Sequence, residues 1–263
     1  AEIIWRTKIE PQHGRGTPMR YLFFSFLFFA PFLSTAFYEE KFISHHGDMP
    51  SVHSSTILEY SPGSFLSCWY GGSREGGKDV QIFCSRLPAG SSEWSSATVA
   101  VTRKERPKGA LIRNKTLGNP VVFKGVNDEI WMVYGARPFG GWLMTHVDYK
   151  VSKDFGQTWS RSRRLIYRFG HLPRIKPLVL DATHILMPFY SEFPQRGYSA
   201  VLEMGPGTLK MLSRQYIPKT RHLQPSFVQL NGDIFAYLRA TKARKVLVSK
   251  FDFGQKVWGP ALP

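Results

Sequence analysis

Short runs of apolar and β-branched residues recur along the chain after Phe37, separated by clusters of turn-forming residues such as glycine, proline and asparagine. The runs are too short for amphipathic helices, and they predict β-strands. They fall into four groups of about four strands, each spanning roughly 50 to 65 residues, a period typical of a β-propeller blade. The predicted strands are Ser54–Tyr60, Ser64–Tyr70 and Val80–Arg86; Pro120–Lys124, Glu129–Tyr134 and His146–Ser152; Pro177–Leu180, His184–Tyr190, Ala200–Met204 and Thr208–Leu212; and Pro225–Leu230, Asp233–Leu238 and Val246–Phe251. The pattern therefore predicts an all-β protein.

The stretch from Ser152 to Trp159 reads S-x-D-x-G-x-T-W. Asp154 can close a tight turn by accepting backbone N–H bonds, and Gly156 can supply the positive φ that a short hairpin loop needs. Thr158 and Trp159 then start the outgoing strand, where the indole can wedge between neighbouring sheets. We predict a structural hairpin here.

This motif resembles the bacterial-neuraminidase repeat, or Asp box, of the sialidase superfamily. Weaker versions of it occur at Ser85–Trp94 and Ser249–Trp258. The resemblance covers roughly Pro50 to Pro263 and implies a six-bladed β-propeller of the sialidase type. Because only four blades can be counted, we expect the chain to be a partial, truncated propeller. A tandem of immunoglobulin-like domains is the alternative fold, but it leaves the Asp box unexplained.

The chain carries 35 Lys and Arg residues against 19 Asp and Glu residues, which gives a net charge of +16. A strongly positive surface favours anionic partners such as acidic glycans. The basic residues are scattered and lack a nucleic-acid-binding motif, so we expect no nucleic-acid partner. We expect a monomer that binds a glycan or glycoconjugate, with no cofactor and no metal.

The N-terminal part predicts a targeting segment. No charge occurs between Tyr21 and Tyr38, Met19 and Arg20 precede this apolar run, and small residues lead to Ala36. This is the pattern of a secretory signal peptide over residues 19–36, with residues 1–18 as an upstream or fragment segment and 37–263 as the propeller domain. We expect a secreted, periplasmic or extracellular protein. An uncleaved membrane anchor is the alternative.

Cys68 and Cys84 are the two cysteines of the chain. Neither has metal-binding spacing, and each lies in a predicted strand. We predict two buried free thiols, with a cross-strand disulfide as the alternative.

The resemblance implies a specific site chemistry. In sialidases three arginines hold the substrate carboxylate, a glutamate activates a tyrosine nucleophile, and an aspartate is the general acid, an exception to the two-carboxylate scheme of other glycosidases. Here His53 stands at the position of the first arginine and Gln224 at or near that of the glutamate, while Arg239 matches the second arginine. The third arginine and the tyrosine belong to blades that we did not find in the chain.

The glycine-rich loop Gly71–Asp79 matches the place of the general acid, and either Glu75 or Asp79 can take that role. Glu192 follows a strand end and is a further candidate catalytic carboxylate. His53 is a candidate general acid or base, because its ordinary pKa lies near neutrality. The remaining polar residues of the predicted substrate-binding mouth are Arg74, Asn119, Lys176, Gln224 and Arg239.

The sequence thus predicts a secreted sialidase-like protein that hydrolyses a terminal acidic sugar in the manner of an exo-α-sialidase. A catalytically inactive glycan-binding relative is one alternative. A different glycan-cleaving chemistry on the same propeller, with His53 or Glu192 transferring the proton, is another.

Overall fold

The computed structural model describes Ile43 and residues 49–107, 110–218, 221–242 and 244–263. The predicted signal peptide and the segment before it lie outside the described residues. The described chain is built almost entirely of strands, with two single 3₁₀ turns at Val126–Asp128 and Trp142–Met144. Among the described residues, no helix has the length and apolar character needed to cross a membrane.

Four antiparallel sheets follow one another along the chain, and each is one propeller blade. Blade 1 contains β1 (Ser51–Ser61), β2 (Ser64–Gly72), β3 (Gln81–Leu87) and β4 (Thr98–Val101). Blade 2 contains β5 (Thr116–Lys124), β6 (Ile130–Arg137), β7 (His146–Ser152) and β8 (Arg163–Ile166). Blade 3 contains β9 (His171–Pro173), β10 (Leu178–Val179), β11 (His184–Glu192), β12 (Gln195–Gly205) and β13 (Thr208–Tyr216). Blade 4 contains β14 (His222–Leu230), β15 (Asp233–Ala240), β16 (Val246–Asp252) and β17 (Val257–Trp258).

Apart from β9, which pairs with β11, neighbouring strands in each blade are neighbours in sequence, as the alternation of the pattern predicts. The all-β propeller prediction is therefore confirmed. Blade 3 differs from the prediction because two short strands, β9 and β10, both pair with β11 in place of one first strand. The observed β12 is also longer than predicted, since Gln195 and Arg196 continue the hairpin opposite Glu192 and Ser191.

The hydrophobic core lies between successive blades rather than within them. One cluster joins blades 1 and 2, a second joins blades 2 and 3, and a third joins blades 3 and 4. Met187, which is fully buried, belongs to the second of these clusters. Burying a side chain of this size contributes about 1.5–3 kcal/mol, so the packing of each blade depends on its neighbours.

The Asp box forms the turn between β7 and β8. Asp154 accepts hydrogen bonds from the Thr158 backbone N–H (2.8 Å) and from the Ser152 hydroxyl (2.7 Å), and Gly156 adopts a φ of 83°. A Cβ atom at Gly156 would lie 2.9 Å from the side chain of Leu66 in blade 1. Trp159 packs against the cluster between blades 1 and 2. The hairpin thus fastens two blades together.

Cys68 and Cys84 form a disulfide between the paired strands β2 and β3. Our prediction of free thiols was wrong, and the alternative is correct. The physical reason is register: the two residues are direct cross-strand partners with Cα atoms 4.1 Å apart, and the spacing in sequence did not reveal this pairing.

Candidate functional site

The first strands of blades 1, 2 and 4 carry a bulge at the same place. The pairing of β1, β5 and β14 with the following strand is interrupted there by a register shift. In each bulge one residue that is not glycine adopts a left-handed conformation: Ser54 (φ 54°), Asn119 (φ 47°) and Gln224 (φ 54°). Such a conformation is costly for ordinary residues and recurs at functional sites. We call the sheet edge next to these bulges, from which the loops after β2, β6 and β11 leave, the mouth.

Side chains from all four blades meet at the mouth through hydrogen bonds and polar contacts. The Ser54 hydroxyl donates to Asn119 Oδ1 (3.0 Å), and Asn119 Nδ2 donates to the Tyr190 hydroxyl (3.1 Å). Gln224 also contacts the Tyr190 hydroxyl, and Ser54 contacts the Tyr70 hydroxyl. The Tyr70 hydroxyl donates to Glu75 Oε1 (3.3 Å). We call this set the mouth chain; its members are Glu75, Tyr70, Ser54, Asn119, Tyr190 and Gln224.

Tyr70 is the buried member of the mouth chain in blade 1, with 2% of its surface exposed. Burial, together with the nearby Glu75 carboxylate, raises its pKa above the usual range, so the phenol stays protonated. Its ring stacks on His53 at 5.6 Å. His53 itself is exposed and hydrogen-bonded to Ser51 Oγ (3.1 Å). Tyr70 therefore positions both Glu75 and His53.

Arg137 anchors the glycine-rich loop to blade 2. Its guanidinium lies 4.6 Å above the Trp142 ring and donates to the Gly76 carbonyl (3.3 Å). Only 6% of Arg137 is exposed, and its Nε has no hydrogen-bond partner among the described residues. Burial lowers the pKa of Arg137, whereas the Glu75 carboxylate raises it. A buried cation thus stands next to the loop that carries Glu75.

Glu192 lies at the end of β11, two residues after Tyr190. Its side chain is half-buried and borders a cleft of about 520 Å³. Burial raises the pKa of Glu192, and the positive charge of Arg239 acts in the opposite direction. Burial and the charge of Glu192 also raise the pKa of Tyr190. A carboxyl group with a raised pKa is suited to proton transfer near neutral pH.

The other predicted residues have different surroundings. Asp79 accepts hydrogen bonds from the Ser73 backbone N–H (2.6 Å) and hydroxyl (2.9 Å), which hold its pKa below the usual range and close the loop. Arg74 is exposed on the same loop, and Lys176 is exposed before Pro177, with a pKa lowered by partial burial. The structure therefore places Glu75, Asn119 and Gln224 in one network and leaves Asp79 outside it.

Sequence reasoning did not select several residues that the structure brings to the mouth: Tyr70, Arg137, Trp142, Arg174 and Tyr190. The two tyrosines end the predicted strands Ser64–Tyr70 and His184–Tyr190, whose apolar pattern made them look like ordinary core residues. One signal for the site was present. Asn119, Lys176 and Gln224 each precede a proline at the same place in successive blades. Among the described residues, no group of three His, Cys, Asp or Glu side chains is arranged to hold a metal ion.

Comparison with solved structures shows the same fold in glycan-active enzymes. The NanB sialidase of Streptococcus pneumoniae has a TM-score of 0.65 at 11% identity, over 84% of this chain and 53% of that one. The intramolecular trans-sialidase of Ruminococcus gnavus has a TM-score of 0.62 at 10% identity, over 82% and 71% respectively. The exo-beta-1,3-galactanase of Phanerochaete chrysosporium has a TM-score of 0.53 at 14% identity, over 80% and 49%.

The chain spans about half the length of NanB and of the galactanase. At these identities the likeness establishes the fold alone. No curated protein matches the sequence. The family model described as a BNR repeat-like domain matches residues 63–261. Together with the sialidase-type propeller of four blades, this match shows that the chain belongs to the BNR repeat-like domain family.

Proposed function

We propose that this protein is an exo-acting glycoside hydrolase that releases a terminal acidic sugar at the mouth of the propeller. The observation that carries the proposal is the mouth chain. It holds Glu75 by hydrogen bonding at one end, and Glu192 lies beside Tyr190 near its other end. The fold shared with sialidases and a galactanase supports a glycan as the substrate class.

Glu192 is the proton donor in this proposal. Its raised pKa keeps the carboxyl group protonated at a pH where an exposed glutamate is ionised. It can therefore protonate the leaving-group oxygen as the glycosidic bond breaks, and the resulting carboxylate can take up a proton from the water that bonds to the anomeric carbon. Glu75, held by Tyr70, supplies negative charge that stabilises the oxocarbenium-like transition state.

Arginines near the mouth tyrosines provide the grip for an acidic sugar. The charge of Arg174 acts on Tyr70, and that of Arg239 acts on Tyr190. A guanidinium binds a carboxylate through two parallel hydrogen bonds, which fixes its orientation. Arg74 and Lys176 add positive charge at the rim. The amide oxygen and one amide proton of Asn119 form hydrogen bonds within the mouth chain, so this residue positions Ser54 and Tyr190 rather than binding the sugar.

The test is release of a fluorophore from a panel of sialosides, glucuronides and neutral galactosides. We expect turnover of an acidic glycoside and a loss of kcat of about 100-fold or more in Glu192→Gln, the usual range for removing a general acid. Glu93→Gln, an exposed carboxylate on the hairpin between β3 and β4, is the matched control. If every acidic glycoside remains uncleaved although it binds, hydrolysis is not the function.

A glycan-binding protein without turnover is the second candidate. It is favoured by His53, which is exposed at the position where the resemblance implies an arginine, and by Gln224 in place of a glutamate. Binding on a glycan array with no released sugar supports this candidate. A third chemistry, with His53 transferring the proton, predicts that His53→Ala abolishes cleavage, and unchanged activity would exclude it.

Secretion is also part of the proposal. The disulfide between Cys68 and Cys84 supports it, because such bonds persist in oxidising compartments. Expression in a secreting host followed by N-terminal sequencing tests this point. We expect a mature chain that begins at Phe37, after cleavage behind Ala36. Retention of Tyr21–Tyr38 in a membrane fraction would show the alternative anchor.

A further inference from the structure

A second cleft lies next to the mouth, against the glycine-rich loop. It measures about 680 Å³, within the range of ligand sites, and it is bounded by the loop, by the connector after β4 and by the start of blade 2. Its lining residues are Ser73, Arg74, Gly76, Gly77, Lys78, Asp79, Arg103 and Lys115. Four of these eight are cationic at neutral pH.

The positive charge of this cleft is only partly offset within the described part of the chain. Asp79 is the one carboxylate in the lining; its oxygens accept hydrogen bonds from Ser73, and its negative charge acts on Arg74. None of the described carboxylates forms an ion pair with Lys78, Arg103 or Lys115. Elsewhere the fold pairs a buried cation with a carboxylate: Lys150 contacts Glu105 Oε2 at 2.8 Å. A cluster of unpaired cations in a cleft attracts an anion from solution.

The walls of the cleft are held in place by Arg137. Its guanidinium donates to the Gly76 carbonyl on the loop side, and its own carbonyl accepts from the Lys115 backbone N–H at 2.7 Å. The loop is closed further by the bond from the Gly77 N–H to the Arg74 carbonyl (3.0 Å). A Cβ atom at Gly76 would lie 2.8 Å from the Arg137 guanidinium, so glycine permits this contact. The site is therefore preformed, and binding an anion requires little ordering.

We propose that this cleft binds a sulfate or carboxylate group on a second sugar of the substrate, so that the preferred glycan carries an acidic group beyond the sugar that is released. The inference rests on the proposed function, because Glu75 is the neighbour of Gly76 on the same loop. The place of the cleft beside the mouth favours an acidic saccharide over a nucleic acid. Its lining contains no aromatic ring on which a base could stack.

Direct titration of the purified protein tests the site without depending on catalysis. The probes are a sulfated disaccharide, a uronate-containing disaccharide, the neutral counterpart and a short single-stranded DNA, at fixed salt. The test variant is Arg103→Gln with Lys115→Gln. The control is Arg161→Gln with Lys210→Gln, which removes two exposed charges elsewhere. We expect the sulfated probe to bind at least tenfold more weakly to the test variant, with parent-like binding to the control.

The two acidic disaccharides show whether the cleft binds a sulfate or a carboxylate group. Tighter binding of either one than of the neutral counterpart supports the site, and the tighter of the two identifies the group. Equal loss of binding in the test and control variants shows a general charge effect and overturns the proposal. The proposal is also overturned if the protein binds the charged and neutral disaccharides equally well, or if it binds the DNA more tightly than the acidic disaccharides. If the protein binds the acidic disaccharides more tightly than the neutral one but cleaves no glycoside, the hydrolase proposal is wrong and the anion site is still supported. In an active enzyme, the test variant should raise KM for an acidic disaccharide glycoside with kcat unchanged.

Discussion

Asn119 is the residue whose replacement tests the mouth most directly. Its side chain bridges blades 1 and 3 through Ser54 and Tyr190, over sequence separations of 65 and 71 residues. It is also buried, with 7% of its surface exposed, and its backbone is left-handed at a φ of 47°. Replacing it with alanine removes two hydrogen bonds and places an unfavourable residue in that conformation. Replacing it with glycine removes only the hydrogen bonds.

The expected magnitudes follow from these contacts. Each lost hydrogen bond costs about 1 kcal/mol, and a left-handed alanine costs about 1 kcal/mol more. We therefore expect Asn119→Ala to lower the free energy of unfolding by about 3 kcal/mol and Asn119→Gly by about 2 kcal/mol. For a domain of this size these values correspond to roughly 6–12 °C and 4–8 °C in Tm.

Urea unfolding followed by tryptophan fluorescence measures both variants. Asn231 is the matched control, since it has a φ of 51° in an exposed turn. There only the backbone contribution is expected, so alanine should cost about 1 kcal/mol and glycine close to nothing. Equal losses for alanine and glycine at Asn119 would contradict the backbone argument. Losses below about 0.5 kcal/mol in both variants would contradict the mouth chain itself.

Three further predictions concern the frame around the site. Asp154→Ala should lower the free energy of unfolding by about 1–2 kcal/mol in urea titrations. Burial acts to raise the pKa of Asp154, but its hydrogen bonds lower the pKa overall. The stabilisation should therefore be present above about pH 4 and be lost as the pH falls through the lowered pKa. Burial and the charge of Arg164 lower the pKa of His146 to about 4. As the pH falls, the unfolded chain is protonated at this histidine before the folded chain is, so the free energy of unfolding should decrease between about pH 6.5 and 4. His146→Phe should reduce this dependence on pH, and an unchanged dependence would refute the contribution of His146. Replacing Cys68 and Cys84 by alanine should cost about 3 kcal/mol, a loss that a reductant should reproduce in the parent but not enlarge in the variant.

The fold could be predicted largely because its signals are local. The Asp box satisfies itself within a few residues, since Asp154 bonds to Ser152 and Thr158. Strand alternation and the spacing of the groups then imply the remaining blades. The exceptions also have a physical cause. The pairing of Cys68 with Cys84 and the division of the first strand of blade 3 depend on register, which spacing alone does not specify.

The candidate site was harder to predict because its contacts join residues that are distant in sequence. Ser54, Asn119 and Tyr190 come from three blades, and none of them resembles a catalytic residue in its own segment. Ser54, Asn119 and Gln224 share a geometry: a bulge turns the first strand of blades 1, 2 and 4 at the mouth, and the left-handed residue in it presents a side chain that the regular pleat would direct elsewhere. Because the bulge recurs in three blades, equivalent positions meet although their sequences differ. A proline follows both Asn119 and Gln224 and marks the position of the bulge in the sequence. The same repetition explains the chemistry we propose. It brings the Glu75 loop and the Glu192 strand end to one mouth, where the mouth chain holds one carboxylate by hydrogen bonding and burial raises the pKa of the other.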